Sequence, residues 1–360
     1  MNDQMYWVAL SRFQKFGATT LIRLSKHFPT MRDAFDASAL DLVDAGVDPK
    51  IASRFLQERL HIDPEHEWDQ LIRHGVSLLT ISDKEYPALL KEIQNPPALL
   101  FYRGELSDTS QKHVAVVGSR KATPYGIRVT EDLIGTLARY GVVIVSGMAY
   151  GIDAAAHQAA IDSQGATIAV LANGLDEESI YPSRHRTLAS KILASGGLLL
   201  SEFPIGTPPL KHHFPFRNRI IAGLCHGTLV VEAAKKSGSL ITAQSALESN
   251  RDVYAVPGLI HAPLSEGPHE LIKQGATPVT SVQDILGYEA STDIETKEVF
   301  QPTNNEEQKI YRVLSAIPLH IDEIIRKTEL PPSTTSSTLT ILEMKGGAAH
   351  EGGKFYTRAA

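Results

Sequence analysis

VAVVGSRKATPYG, Val114 to Gly126, sets an apolar run directly against a Gly-Ser-Arg turn and the start of a helical pattern. The run is too short for a helix and lacks polar alternation, so it reads as a strand covered on both faces. The same texture recurs down the chain: VVIVSG at 142–147, TIAVLANG at 167–174, GLLLSE at 197–202, TLVVEA at 228–233 and VYAVPG at 253–258. Helical patterns separate these runs.

Apolar strands alternating with helices predict an α/β domain, a doubly wound Rossmann-like parallel sheet, over residues 110–286. Working outward, residues 1–75 carry apolar positions at helical spacing (Trp7, Val8, Leu10, Phe13, then Leu21, Leu24, Phe28) around Gly17. They predict a small helical N-terminal domain. A helix, a Gly turn and a second helix resemble the SAM or helix-hairpin-helix modules that pack on DNA backbones, and an ordinary helical bundle is the favoured reading. Residues 76–109, with Tyr86-Pro87 and NPPALLFYRG, read as an extended connecting segment. The polar stretch 287–305 reads as a linker. Residues 306–360 read as three short helices and a hairpin, the pattern of a C-terminal winged-helix domain. Seven Lys or Arg face seven Asp or Glu between Gln301 and Ala360, so phosphate attraction is not evident there.

Composition limits the function classes. The chain has 360 residues, 42% hydrophobic and 21% charged, which suits a globular protein and excludes wholesale disorder. No apolar run approaches the roughly 20 residues of a membrane span. A single cysteine, Cys225, and no secretory pattern at the start predict a cytoplasmic protein. The net charge of −6 weighs against nucleic acid, although local clustering overrides a total.

Ligands of an open parallel sheet sit beyond the carboxyl ends of the strands. Gly118, Ser119 and Arg120 follow the first run and supply the parts of a phosphate cradle: close backbone approach, helix-start donors and a guanidinium fork. Neither the G-x-G-x-x-G fingerprint nor a P-loop is present, so NAD binding and ATP hydrolysis lack support. Ser146, Asp153 and His157 suggest a hydrolase triad, but the G-x-S-x-G elbow is missing and all three crowd one segment, so a bracing role is the expectation for Asp153 and His157. Gly147, Asn173, Gly238, Ser239 and Thr242 mark further turns and helix starts on the same edge. Arg184, Arg186 and Lys191 add charge without an acid between residues 179 and 201.

PLKHHFPFRNRII, Pro209 to Ile221, lies after the fourth of these runs and belongs to an acid-free interval from Phe203 to Ala222. Such a concentration of like charge calls for a negative occupant, and an exposed Phe can stack on a base. Lys211 and Phe214 are the pair expected to meet a phosphate and its neighbouring base. Core burial remains an equal reading for Phe214 and the favoured one for Phe216.

Taken in order and spacing, GSRKATPYG, SGMAYGIDAAAH, ANGLDEESIYP, PLKHHFPFRNRIIAG, EAAKKSGSLITAQSALESNRDVYAVPG and GPHELIKQGA resemble the DNA-processing protein A family, also called Smf. The resemblance implies a mediator rather than an enzyme: a homodimer that binds single-stranded DNA and loads RecA during natural transformation, with no cofactor. By position it implies a phosphate contact for Arg120, lysine and aromatic contacts for Lys211 and Phe214, and an adjoining block of Arg217, Asn218 and Arg219 in which one arginine is structural. Ser183 stands where some relatives carry lysine, and Arg184 and Arg186 are the substitutes. The apolar positions near Val279, Ile285 and Leu286 are the expected dimer contacts. The competing reading is a phosphoribohydrolase-like, nucleotide-cleaving enzyme, with Glu202 or Glu232 as its carboxylate.

Overall fold

The structure, a computed structural model, describes residues 3–106, 111–287, 300–315 and 318–358. The chain forms two compact units, Met1–Tyr288 and Glu289–Ala360.

The first unit opens with helices α1 (Gln4–Arg12), α2 (Ala18–His27), α3 (Met31–Asp36), α4 (Ala39–Asp44), α5 (Pro49–Glu58) and α6 (Pro64–Arg73). Their boundaries are chemically marked. Thr30 with Asp33 and Ser38 with Asp41 form capping boxes, while Asp48 and Asp63 cap helices that begin with proline. Phe13, Phe16, Phe35 and Phe55 close this small core through edge and tilted ring contacts.

Next come β1 (Ser77–Thr80), α7 (Ala88–Lys91) and β2 (Leu99–Gly104), then β3 (His113–Val117), α8 (Pro124–Arg139), β4 (Val143–Ser146), α9 (Ile152–Asp162), β5 (Thr167–Leu171), α10 (Arg186–Ala194) and β6 (Leu198–Ser201). The unit finishes with α11 (His213–Gly223), β7 (Gly227–Val230), α12 (Gly238–Glu248), β8 (Asp252–Ala255), α13 (Glu266–Lys273), β9 (Thr277–Pro278) and α14 (Gln283–Leu286). The nine strands form one sheet in the order β1-β2-β6-β5-β4-β3-β7-β8-β9. Strands β6 to β9 and those between them pair in parallel, and the order reverses at β3, as a doubly wound sheet requires.

The connecting segment of the sequence reading is part of this sheet. Leu99, Leu100 and Phe101 are buried, and β2 pairs antiparallel with both β1 and β6. Three consecutive apolar side chains need cover on two faces, and adding a strand to β6 gives it. The prolines disguised this, because they fall just before β2, where no ladder donor is lost.

Side chains alternate across the sheet. Ala115, Val117, Val143, Val145 and Val170 face α11 and α12, whereas Val114, Val116 and Ile144 face α8 and α9. Both faces are therefore covered, which is why these strands are apolar throughout. Val279 and Ile285 are 1% and 2% exposed and pack in the second of these cores, with Leu286 partly buried against it.

The second unit holds α15 (Asn305–Val313), β10 (Leu319–His320), α16 (Ile321–Thr328), α17 (Pro332–Met344), β11 (Ala348–Gly352) and β12 (Phe355–Arg358), the sheet running β10-β12-β11. Three helices and a hairpin wing around Ile310, Ile324, Leu339 and Leu342 make a winged helix. Most of the linker expected at 287–305, residues 288–299, lies outside the described residues.

Candidate nucleic-acid interface

The turns after β3, β4 and β5 and the start of α11 meet at the carboxyl edge of the sheet. There a shallow cleft is lined by Arg120, Tyr150, Tyr181, Pro182 and Phe214, with Gly147 and Ala149 as its wall. Arg120 lies over the Phe214 ring, 5.4 Å from guanidinium carbon to centroid, and Tyr181 meets the same ring edge-on at 5.9 Å. Cation and ring thus form a single surface element.

The glycines explain how so many elements come together. A Cβ on Gly118 would stand 2.5 Å from Ile152 Cγ1, and one on Gly147 would stand 2.5 Å from Arg217 Nη2. Gly118 therefore allows close packing of α9 against the β3 turn. Gly147 leaves room for a buried guanidinium.

Arg217 is that group. It is 4% exposed and donates from Nη1 to the carbonyl oxygens of Gly147, at 2.8 Å, and of Val170. Asp153 lies nearby and accepts from the backbone N–H groups of Gly147 at 3.2 Å and Ala149 at 3.3 Å. Burial raises the Asp153 pKa, and the Arg217 charge opposes the shift. Burial likewise pushes Arg217 down to about 10. The expectation that Arg217 contacts a ligand is corrected here: it holds the β4 turn from within.

Arg219 is also committed. It pairs with Glu202 at 2.5 Å, with both side chains largely buried, and its guanidinium lies 5.9 Å from the Phe216 ring. Asn218 ties α11 to the start of α12 by donating to Gly238 O at 3.3 Å. Four other expected contacts are buried: Ser119 at 8%, Asn173 at 1%, Ser239 at 8% and Thr242 at 1%. Ser119 Oγ accepts from Lys121 N, Asn173 donates to Gly174 O, and Ser239 joins the Ser237 cap of α12. These side chains shape turns. Lys211 and Gly238 are exposed, and Phe214 is half-buried. Phe216, expected in the core, is 58% exposed.

The catalytic alternatives lose their groups to structure. Ser146 donates to Val116 O, and His157 Nδ1 faces Thr167 Oγ1 at 2.7 Å, so no nucleophile–base pair forms. Glu232 accepts from Thr123 N at 2.9 Å and Thr123 Oγ1 at 2.5 Å, beneath the first turn of α8, while Glu202 holds Arg219. Among the described residues, no cluster of His, Cys, Asp or Glu could hold a metal, and no helix is long and apolar enough to cross a membrane.

Tyr150 and Tyr181, 40% and 42% exposed, were not singled out from the sequence. Tyr150 stands just after an apolar run and its turn, whereas Tyr181 lies further along the segment between β5 and α10.

Comparison with known proteins follows from this geometry. Residues 77–289 match the family model DNA recombination-mediator protein A, and residues 297–354 match the DprA winged helix domain. The chain is 44% identical to Protein Smf of Escherichia coli (strain K12) over 79% of its length and 75% of the relative's. It is 34% identical to Protein Smf of Synechocystis over 99% of both. The X-ray structure of DNA processing protein A from Streptococcus pneumoniae superposes with a TM-score of 0.68 at 38% identity, covering 80% of this chain and 98% of that one. A Helicobacter pylori DNA processing protein A, described by its single-stranded DNA binding mode, gives a TM-score of 0.52 at 31% identity, covering 59% and 94%. The chain belongs to the DNA recombination-mediator protein A family.

Proposed function

We propose that this protein is a non-catalytic mediator of recombination that binds single-stranded DNA, works as a homodimer in the cytoplasm and loads RecA onto strands taken up during natural transformation. The observation that carries the DNA reading is the Arg120–Phe214 pair at the strand-end cleft. A fixed cation beside a ring matches the alternation of phosphate and base along a single strand. Lys211, exposed just before α11, adds a second phosphate contact. The Helicobacter pylori relative, whose reported subject is single-stranded DNA binding, supports the same reading. The structural engagement of Glu202 and Glu232 supports the absence of catalysis. RecA loading, transformation and dimerisation rest on kinship with the family.

The test is equilibrium binding of fluorescent oligo-dT to the full chain across a salt series. Micromolar or tighter binding that weakens steeply with salt is expected, because each neutralised phosphate releases counterions. Equal affinity of the parent and an Arg120→Ala, Lys211→Ala double variant would sink the proposed site. Sedimentation and RecA filament formation on the same oligonucleotide address the partner claims.

A further inference from the structure

We infer that Tyr150 and Tyr181 are base-contacting residues, stacking against a nucleobase of the bound strand at the mouth of the cleft beside Arg120. This rests on the single-stranded DNA reading and extends it to two side chains with no assigned role. Tyr150 comes from the turn between β4 and α9, and Tyr181 from the segment between β5 and α10, so two strand ends each project one ring into the cleft. Both rings keep about two-fifths of their surface in water. Leaving a large ring in water forgoes burial energy, and two such rings lining one opening form a recognition surface rather than scattered exposure.

Neither ring is loose. Tyr150 meets His185 edge-on at 4.9 Å, and His185 is itself fixed by donating from Nδ1 to Met148 O at 2.8 Å. Tyr181 meets Phe214 at 5.9 Å. Rings already held in place lose little freedom when a base stacks on them. The charge pattern selects the same occupant: Arg120 lines the cleft and, among the described residues, no carboxylate does. A planar neutral ring attached to an anion fits that lining, whereas a cationic or purely aliphatic guest does not. Stacking on aromatic side chains is tolerant of sequence, so the site takes any base with little preference.

The experiment compares two probes on the full chain, oligo-dT and an abasic oligonucleotide of equal length, with Tyr150→Ala, Tyr181→Ala and the matching Phe variants. Each Ala variant is expected to weaken oligo-dT binding by about 5- to 150-fold, the range for loss of one base stack. Abasic binding and the salt slope should stay at parent values, and the Phe variants should bind like the parent. Unchanged Tm confirms that the Ala variants fold. Parental oligo-dT affinity in both Ala variants overturns the inference, as does an equal loss on the abasic probe. Failure of the parent itself to bind oligo-dT instead overturns the reading on which the inference rests.

Discussion

Arg217 in α11 donates to the carbonyl oxygen of Gly147, 70 residues earlier in the chain, at 2.8 Å, joining that helix to the wall of the cleft. Asp153 binds the same turn from the opposite side through its N–H groups. The turn is thus gripped at both its donors and its acceptor.

Removing Arg217 leaves the buried Asp153 carboxylate without its compensating charge. Arg217→Ala is expected to destabilise the first unit by about 2–6 kcal/mol, because two buried carbonyl oxygens lose their donor. Arg217→Lys should recover only part of this, since an ammonium cannot reproduce a planar fork serving two carbonyls. Urea unfolding at neutral pH measures both.

Arg120 and Phe214 should separate by salt dependence. Arg120→Ala removes one cation, so affinity for oligo-dT falls and the salt slope loses about 0.7, the value for one contact to a single strand. Phe214→Ala reduces affinity with a nearly unchanged slope, because stacking releases few ions. Binding isotherms from low to moderate salt give both slopes, and a common slope change would assign Phe214 to positioning Arg120 instead.

Gly147→Ala places a methyl group 2.5 Å from Arg217 Nη2. The guanidinium must shift, so a cost of about 1–3 kcal/mol from overpacking is expected, together with weakened DNA binding because the cleft wall moves. Gly238→Ala, with open space where its Cβ would stand, is the control and should leave Tm near the parent value.

His157 makes stability depend on pH. Burial pushes its pKa down to about 3, below its ordinary value of 6.5, so the folded state keeps it neutral. Between those values the unfolded chain binds the extra proton. The contribution is complete above pH 6.5 and drains away as pH falls toward 3. From pH 7 to pH 5 the loss from this group is about 2 kcal/mol. His157→Asn keeps a polar atom opposite Thr167 and should flatten that part of the profile in urea titrations at the two pH values.

The sheet was legible because strands covered on both faces are apolar at every position, as VAVVG and VVIVSG are, and these runs are too short for helices. The cleft was half legible. Arg120 and Phe214 follow from their strand-end positions, but the buried stripe of α11 is His213, Arg217, Ile220 and Ile221, at i, i+4, i+7 and i+8. Two polar members hide that stripe from any hydropathy pattern, so Phe216 looked like core and Arg217 like surface. Spacing alone does show that Arg217 and Arg219, two apart on a helix, point away from each other. Which one turns inward depends on Gly147 and Val170, acceptors that belong to backbone and carry no signature in the side-chain alphabet.

Because Arg217 fastens both the β4 turn and Val170 of β5, the cleft is anchored to the middle of the sheet. Its wall can therefore shift only if the two central strands shift with it, unlike a surface loop that moves alone.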